Sequence, residues 1–539
     1  MNHLVILPVL VPAVTAVVLL IAARMPVATQ RAVSILSVLA LVGIAATLLV
    51  EASSGVVTPY RLGNWAPPYG IVLVLDQLAA LMVALTAVVG LGAVLFAARG
   101  WDLAGRNFHA LFQFQLMGLN GAFLTGDLFN LFVFFEILLI ASYGLMLHGG
   151  GKERIAAGIH YVVLNLAGSA FFVIGLGIVY GSLGTLNMAD LALQVRAVEG
   201  GLTAIVQGGA LLLLVVFALK AALLPLYFWL PRTYGETSAP VAALFAIMTK
   251  VGVYSIIRVY TLVFDGRSEA LSGLPSRVLL PVALATIVFA AFGGVAAKTL
   301  RGMTAHLLVV SVGVMMTAVA LFTQEAIAAG LYYMIHSTLI VAALFLVSEM
   351  ISVERGEVED TLYPAPSMRH ANLLGLLYFT SAAAIGGFPP LGGFFGKVYI
   401  LQSSEGVPAA PWIWSIVIGG SLLGMIALAR AGSAVFWKTS ETVAPEDLEV
   451  PEPELAHHDA SRPALPAGSI SSILLLASVV VVAAAAGPVS RYTDNAADQL
   501  AHPDGYIESV LTGEPSPRVG TPYGSDDHGD EEQGEEAGA

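Results

Sequence analysis

Apolar runs long enough to cross a membrane recur along the chain. They fall at about residues 3–23, 32–50, 71–98, 108–126, 128–147, 157–182, 204–224, 239–263, 277–297, 303–322, 327–350, 371–402, 411–437 and 469–487. A 30 Å hydrocarbon core takes about 20 residues of helix, so the pattern predicts an all-α polytopic membrane protein of about fourteen spans. Two runs are interrupted. The seventh continues in broken form to 234 through Pro225 and Pro231, and the twelfth contains Gly386, Gly387, Pro389, Pro390, Gly392 and Gly393. Irregular backbone at membrane depth is tolerated only where protein or a water-filled cavity satisfies it. One such break in each half suggests an inverted repeat, as in many transporters, with its units at 108–264 and 277–437. The rest divides into a three-helix segment at 1–107, an acidic linker at 438–468, a last helix at 469–487 and a polar tail at 488–539 expected to be largely disordered. The loop at 51–70, with Trp65, Pro67 and Pro68, reads as an ordered external cap.

Composition strengthens the membrane reading. Of 539 residues only 11% are charged and 57% are hydrophobic, against about 25% charged in soluble domains. Much of the net charge of −13 sits in the acidic linker and tail, and no basic patch of the kind nucleic acid needs is present. With no cysteine, disulfides and cysteine-ligated metal or iron–sulfur centres are excluded. The first apolar run lacks a preceding basic residue and a cleavage pattern, so it is expected to stay as a helix. Lysine and arginine favour one set of alternate loops by roughly two to one. Arg24, Arg99, Lys152, Arg232, Lys298 and Arg369 belong to that set, which places it in the cytoplasm and both termini outside a bacterial plasma membrane. No P-loop, HExxH or strand-to-helix GxSxG is present, so a phosphate-driven pump or hydrolase has no visible machinery. The expectation is a membrane protein that is not an enzyme and carries no cofactor.

Candidate chemistry lies in the charges at membrane depth. Glu136, Lys220, Lys250 and Lys397 stand deep inside apolar runs, where insertion scales set the cost at about 2.5–3.5 kcal/mol each. Glu136 is about 13 Å below the turn at 125–127, and Lys220 is its natural partner. His306 and His336 lie inside predicted helices of the second half, and imidazole passes protons near neutral pH. The alternative for each is a histidine hydrogen-bonded between helices. Asp76 reads as a helix cap, and Arg258 and Arg430 as side chains that reach the interface from helix ends.

At these residues the chain resembles a known family. DLFNLFVFFEILLIASY at 127–143, the stretch at 218–260 carrying Lys220, Pro225, Trp229, Pro231, Pro240, Lys250, Gly252 and Tyr254, and GGFPPLGGFFGK ending at Lys397 are similar to three helix signatures of proton-translocating antiporter-like proteins. That family includes the large subunits of Mrp-type cation/proton antiporters and membrane-arm subunits of respiratory complex I. The resemblance covers roughly 70–435. It implies fourteen helices with two inverted five-helix repeats, each containing a broken helix, a Glu136–Lys220 charge pair, Lys250 as central relay, Lys397 facing a second half-channel, and His336 as a relay histidine. Tyr227 and Tyr234 stand where complex I relatives carry histidines, which is similar to the D-type subunits of Mrp antiporters. Ile340 stands where many relatives have lysine, and His306 is unusually placed. The resemblance implies a Na⁺/H⁺ or related monovalent cation antiporter, with the A, B, C, E, F and G subunits of an Mrp complex as partners. The alternative is a proton-pumping subunit of complex I or a membrane-bound hydrogenase. No metal-ligand cage for the cation is evident in the sequence.

Overall fold

The computed structural model describes residues 3–265, 273–438 and 468–514. The helices are α1 Leu7–Ile21, α2 Val27–Ala52, α3 Gln77–Ala97, α4 Phe108–Leu124, α5 Leu128–Met146, α6 Lys152–Leu183, α7 Met188–Arg196, α8 Leu202–Ala221, α9 Trp229–Glu236 and α10 Ala239–Leu262. They continue with α11 Leu274–Ala296, α12 Leu300–Val319, α13 Gln324–Arg355, α14 Ala371–Gly386, α15 Gly392–Gln402, α16 Ala410–Gly432, α17 Ser469–Ala484, α18 Ala486–Ala501 and α19 Asp504–Thr512. Every predicted apolar run carries helix. Among the described residues 11 spans are long and apolar enough to cross a membrane, or 12 if α17 and α18 form one bent span. The expected count of fourteen exceeds this because α4 has only 17 residues and the twelfth run is the short, broken pair α14 and α15.

Burial differs among the spans. α10 and α13 are enclosed along their apolar stretches, whereas α1, α2 and α16 bury only a third of theirs. α10 packs on α3, α8 and α13, so it runs through the middle of the bundle. At Gly252 a side chain would meet the backbone of α8 at Ala221 and lie 2.7 Å from the Lys220 carbonyl carbon. Gly252→Ala is therefore expected to force the two helices apart at a cost of about 1–3 kcal/mol, read as a lower melting temperature of the solubilised protein.

Two expectations change at the ends. The run at 71–98 begins as a strand: β2 Val72–Leu75 pairs antiparallel with β1 Thr58–Arg61, Thr58 opposite Leu75 and Arg61 opposite Val72. α3 starts only after Asp76, whose carboxylate accepts from Ala79 N at 2.8 Å. The loop at 51–70 is thus ordered, as expected, but through a hairpin that an apolar-run reading takes as helix.

The polar tail is the second change. Residues 488–514, expected within a largely disordered tail, form most of α18 and all of α19. The chain turns by 80° after α17, with Pro488 in the first turn of α18, where a missing N–H costs nothing. α18 buries Thr493, Ala496, Ala497 and Leu500, one stripe of an amphipathic helix. Both α18 and α19 are pinned across the hairpin. Gln499 donates to Gly55 O at 3.2 Å, Ser509 to Val57 O at 3.0 Å, and Arg61 to Thr512 O. His3 meets Tyr60 Oη at 3.1 Å, so both described ends lie on this hairpin face. The linker beyond Lys438 and the acidic end after Glu514 lie outside the described residues.

Candidate functional site

The first break lies between α8 and α9. α8 ends where Ala222 adopts a left-handed conformation, φ 59°, and the prolines beyond it prevent the helix from resuming at once. Side chains meet the backbone here: Trp229 Nε1 donates to Leu219 O at 3.1 Å, beside the bond Leu219 O accepts from Ala222 N, and Leu224 N donates to Thr286 Oγ1 at 2.9 Å. Lys220, 6% exposed, sits one turn before the break. Its Nζ donates to Asn165 Oδ1 at 3.2 Å and lies 3.5 Å from Asn165 O. Glu136 on α5 is half-buried and accepts from Ser169 Oγ.

Asn165 and Ser169 stand four residues apart on α6, so one helix face holds the ammonium and the carboxylate on neighbouring turns. Among the described residues the two charges make no contact within 4 Å, and their link runs through α6. Sequence reasoning missed both α6 residues. Neutral polar residues in an apolar run carry no charge penalty to flag them, although their four-residue spacing is the signal that points to a shared face.

The second break lies between α14 and α15, and its freed carbonyls are handled differently. Three consecutive oxygens at the end of α14 are capped by the titratable residues. His336 Nε2 lies 3.1 Å from Ala384 O, while Lys397 Nζ donates to Ile385 O at 2.9 Å and to Gly386 O at 3.2 Å. His336 is 1% exposed, and its Nδ1 has no hydrogen-bond partner among the described residues. The same imidazole and ammonium line a cavity of about 20 Å³ with Ser311, Ser337 and Ser421. That is room for about one water. His336 and Lys397, predicted separately, therefore share one site.

Lys250 stands alone between the breaks. It is 0% exposed, and its Nζ has no hydrogen-bond partner among the described residues. The remaining candidates divide. Tyr227 and His306 line a larger, open cavity of about 370 Å³ with Arg232, Glu236 and Lys298, and His306 Nδ1 lies 2.9 Å from Gly302 O. Tyr234 is buried and donates to Phe245 O at 3.0 Å, a helix-to-helix bond.

Two buried ionic groups were not among the expected site residues. Arg258 does not reach the interface: it is 3% exposed and pairs with Asp76, 1% exposed, at 2.6 Å. Its guanidinium lies between Tyr254 and Tyr506, 5.5 and 5.1 Å from their ring centroids. Asp76 is thus both cap and counter-ion. Lys250, Tyr254 and Arg258 recur every four residues on one face of α10. At the start of α12, Arg301 bonds Asp360 at 3.1 Å and lies 3.9 Å from Glu349, a buried acid near the end of α13. An arginine at the start of a helix looks like a loop charge until the acid from another element is known.

Comparison with known proteins places this arrangement. Residues 125–426, more than half of the chain, match the family model described as NADH:quinone oxidoreductase/Mrp antiporter, TM. The chain is 37% identical to the D subunit of the probable K⁺/H⁺ antiporter of Rhizobium meliloti, over 97% of this chain and 99% of that protein. It is 36% identical to the D subunit of the Na⁺/H⁺ antiporter of Bacillus subtilis, over 95% and 100%. Its fold is similar to a chain in the structure of the Mrp complex from Dietzia sp. DQ12-45-1b, with a TM-score of 0.84, 28% identity, and coverage of 95% of this chain and 100% of that one. The matched region holds Glu136, Lys220, Lys250 and Lys397 and both helix breaks, and the protein belongs to the NADH:quinone oxidoreductase/Mrp antiporter transmembrane family.

Proposed function

We propose that the protein is the D-type subunit of a multisubunit Mrp antiporter, exchanging protons for a monovalent cation, Na⁺ or K⁺, at the expense of the proton motive force. Protons pass through Glu136, Lys220, Lys250 and Lys397, with His336 beside the last. The observation that carries this reading is the placement of three lysines and a glutamate within one helical bundle, with Lys220 and Lys397 each at a helix break. Full-length relatives named as D subunits of antiporters favour exchange over a redox-driven pump. Counting α4, the broken pair α14–α15 and the bent pair α17–α18 as one span each gives fourteen, arranged as two inverted five-helix repeats, with both termini outside. The partners are the other Mrp subunits.

In this mechanism the α6 face is the coupling element. Asn165 and Ser169 hold Lys220 and Glu136 apart on one helix, so a small shift of α6 changes the field each charge exerts on the other. A change at Glu136 is then felt at Lys220, next at Lys250, and beyond it at Lys397. Tyr227 and His306 at the open cavity give protons access from the face that carries Arg232 and Lys298.

Everted vesicles carrying the complete complex test the reading. Addition of Na⁺ or K⁺ should release protons from the lumen, and Glu136→Ala or Lys220→Ala should each reduce this to the level of vesicles without the complex while assembly is retained. Wild-type exchange in either variant removes those two residues from the path.

A further inference from the structure

The two breaks differ in what covers their carbonyls. At the first, Leu219 O keeps a backbone partner in Ala222 N and accepts a neutral indole besides. At the second, an ammonium covers Ile385 O and Gly386 O and an imidazole covers Ala384 O. We propose that the carbonyl cradle at the end of α14 is a binding site for a dehydrated monovalent cation, which takes the place of the Lys397 ammonium. The inference deepens the antiport reading and rests on it, since it names where this chain holds the exchanged cation.

Four observations carry it. Ile385 O and Gly386 O converge on one point, because a single Nζ reaches both at 2.9 and 3.2 Å. They are the last carbonyls of a helix, whose C-terminal end carries partial negative charge, and rings of carbonyl oxygens replace the hydration shell of alkali ions. The adjoining cavity supplies serine hydroxyls and space for about one water, enough to extend the coordination beyond the backbone. His336, with one nitrogen on Ala384 O and the other unpartnered among the described residues, adds a neutral lone pair without a competing charge.

The backbone keeps the cradle open. A side chain at Gly393 would collide with Ala384 O and lie 2.7 Å from His336 Nε2, so glycine there lets α15 approach the freed end of α14. An alkylammonium head and K⁺ are close in size, so the present spacing suits K⁺, and Na⁺ requires the carbonyls to draw in. Two cations cannot occupy one point. Ammonium and metal ion are therefore mutually exclusive occupants, and a neutral cap such as Trp229 at the first break provides no such exchange.

Equilibrium binding of ⁸⁶Rb⁺ and ²²Na⁺ to the purified, assembled complex tests this directly. If the ammonium leaves the cradle in roughly one molecule in ten, the apparent Kd is about tenfold weaker than the intrinsic one. Lys397→Met should therefore tighten binding by about tenfold, and Ser421→Ala should weaken it, whereas Lys438→Met, at an exposed lysine outside the proposed path, should leave it unchanged. Absence of saturable binding in both wild type and Lys397→Met, or an equal gain in both lysine variants, overturns the site. If Lys397→Met fails to assemble, high-resolution maps of the wild-type complex in KCl and in choline chloride decide. New density at Ile385 O and Gly386 O with a displaced Lys397 head supports the site, and identical maps overturn it. Binding is measured without transport, so a complex that exchanges cations yet shows neither effect keeps its function and loses this site. A complex that does not exchange loses the functional reading whatever the binding shows.

Discussion

Replacing Lys250 with methionine is expected to abolish proton exchange while leaving the protein at least as stable as before. The amine is enclosed on every side and bonds to nothing among the described residues, so its charged form is stabilised by no visible partner. A charge at that depth costs about 2.5–3.5 kcal/mol on insertion scales, and an unbranched thioether of similar length fills irregular core space readily. Packing and electrostatics both favour the methionine, which leaves function as the reason for the lysine. Everted vesicles carrying Lys250→Met should show no cation-driven proton release, while melting of the solubilised complex is unchanged or raised. Lys250→Arg separates charge from proton exchange, because guanidinium does not release its proton in proteins. It should be as inactive as the methionine variant. Wild-type exchange in either would take Lys250 out of the path.

The largest loss of stability is expected at Asp76. Removing its carboxylate leaves the Arg258 guanidinium 3% exposed with its counter-ion gone, and breaking a buried pair in this way costs about 3–5 kcal/mol. The N-cap of α3 is lost as well in Asp76→Ala, for about a further 1 kcal/mol. Asp76→Asn keeps a capping oxygen and loses only the charge, so it should fall between wild type and alanine. The double change Asp76→Leu with Arg258→Met removes both charges and should recover much of the loss, since apolar replacement of a buried pair is often neutral. Thermal melting of the solubilised complex reads all four. If Asp76→Ala melts with the wild type, the pair is not holding this end of α10.

The site is legible in the sequence where chemistry contrasts with its surroundings. Glu136, Lys220, Lys250 and Lys397 stand out because a charge in an apolar run has no bland reason to be there, and the breaks stand out through proline and glycine. Partners are not legible on the same terms. Asn165 and Ser169 are neutral, and the oxygens of Ala384, Ile385 and Gly386 belong to the backbone that every residue carries. Only the path of the chain after Gly387 shows that those three are unpaired by their own helix. Arg258 is misread from sequence because distance from a helix end does not reveal whether Tyr506 and Asp76 close over it.

A similar limit applies to the fold. The spans follow from hydropathy, but α7 and α18 are amphipathic, with polar residues along one side, so a search for apolar runs passes over them. α7 is held by Asn187, which caps its first turn, and by Arg196, which bonds Asp265 at 2.9 Å and Asp504 at 3.1 Å. These are tertiary contacts across long stretches of chain, and no local pattern announces them.

The 80° turn after α17 has a consequence for how the protein is made. The strand Thr58–Arg61 is finished early, yet its cover includes Ser509 and Thr512, among the last described residues to leave the ribosome. Arg258 likewise waits for Tyr506. Until synthesis reaches α19, the hairpin and the C-terminal end of α10 lack part of their cover.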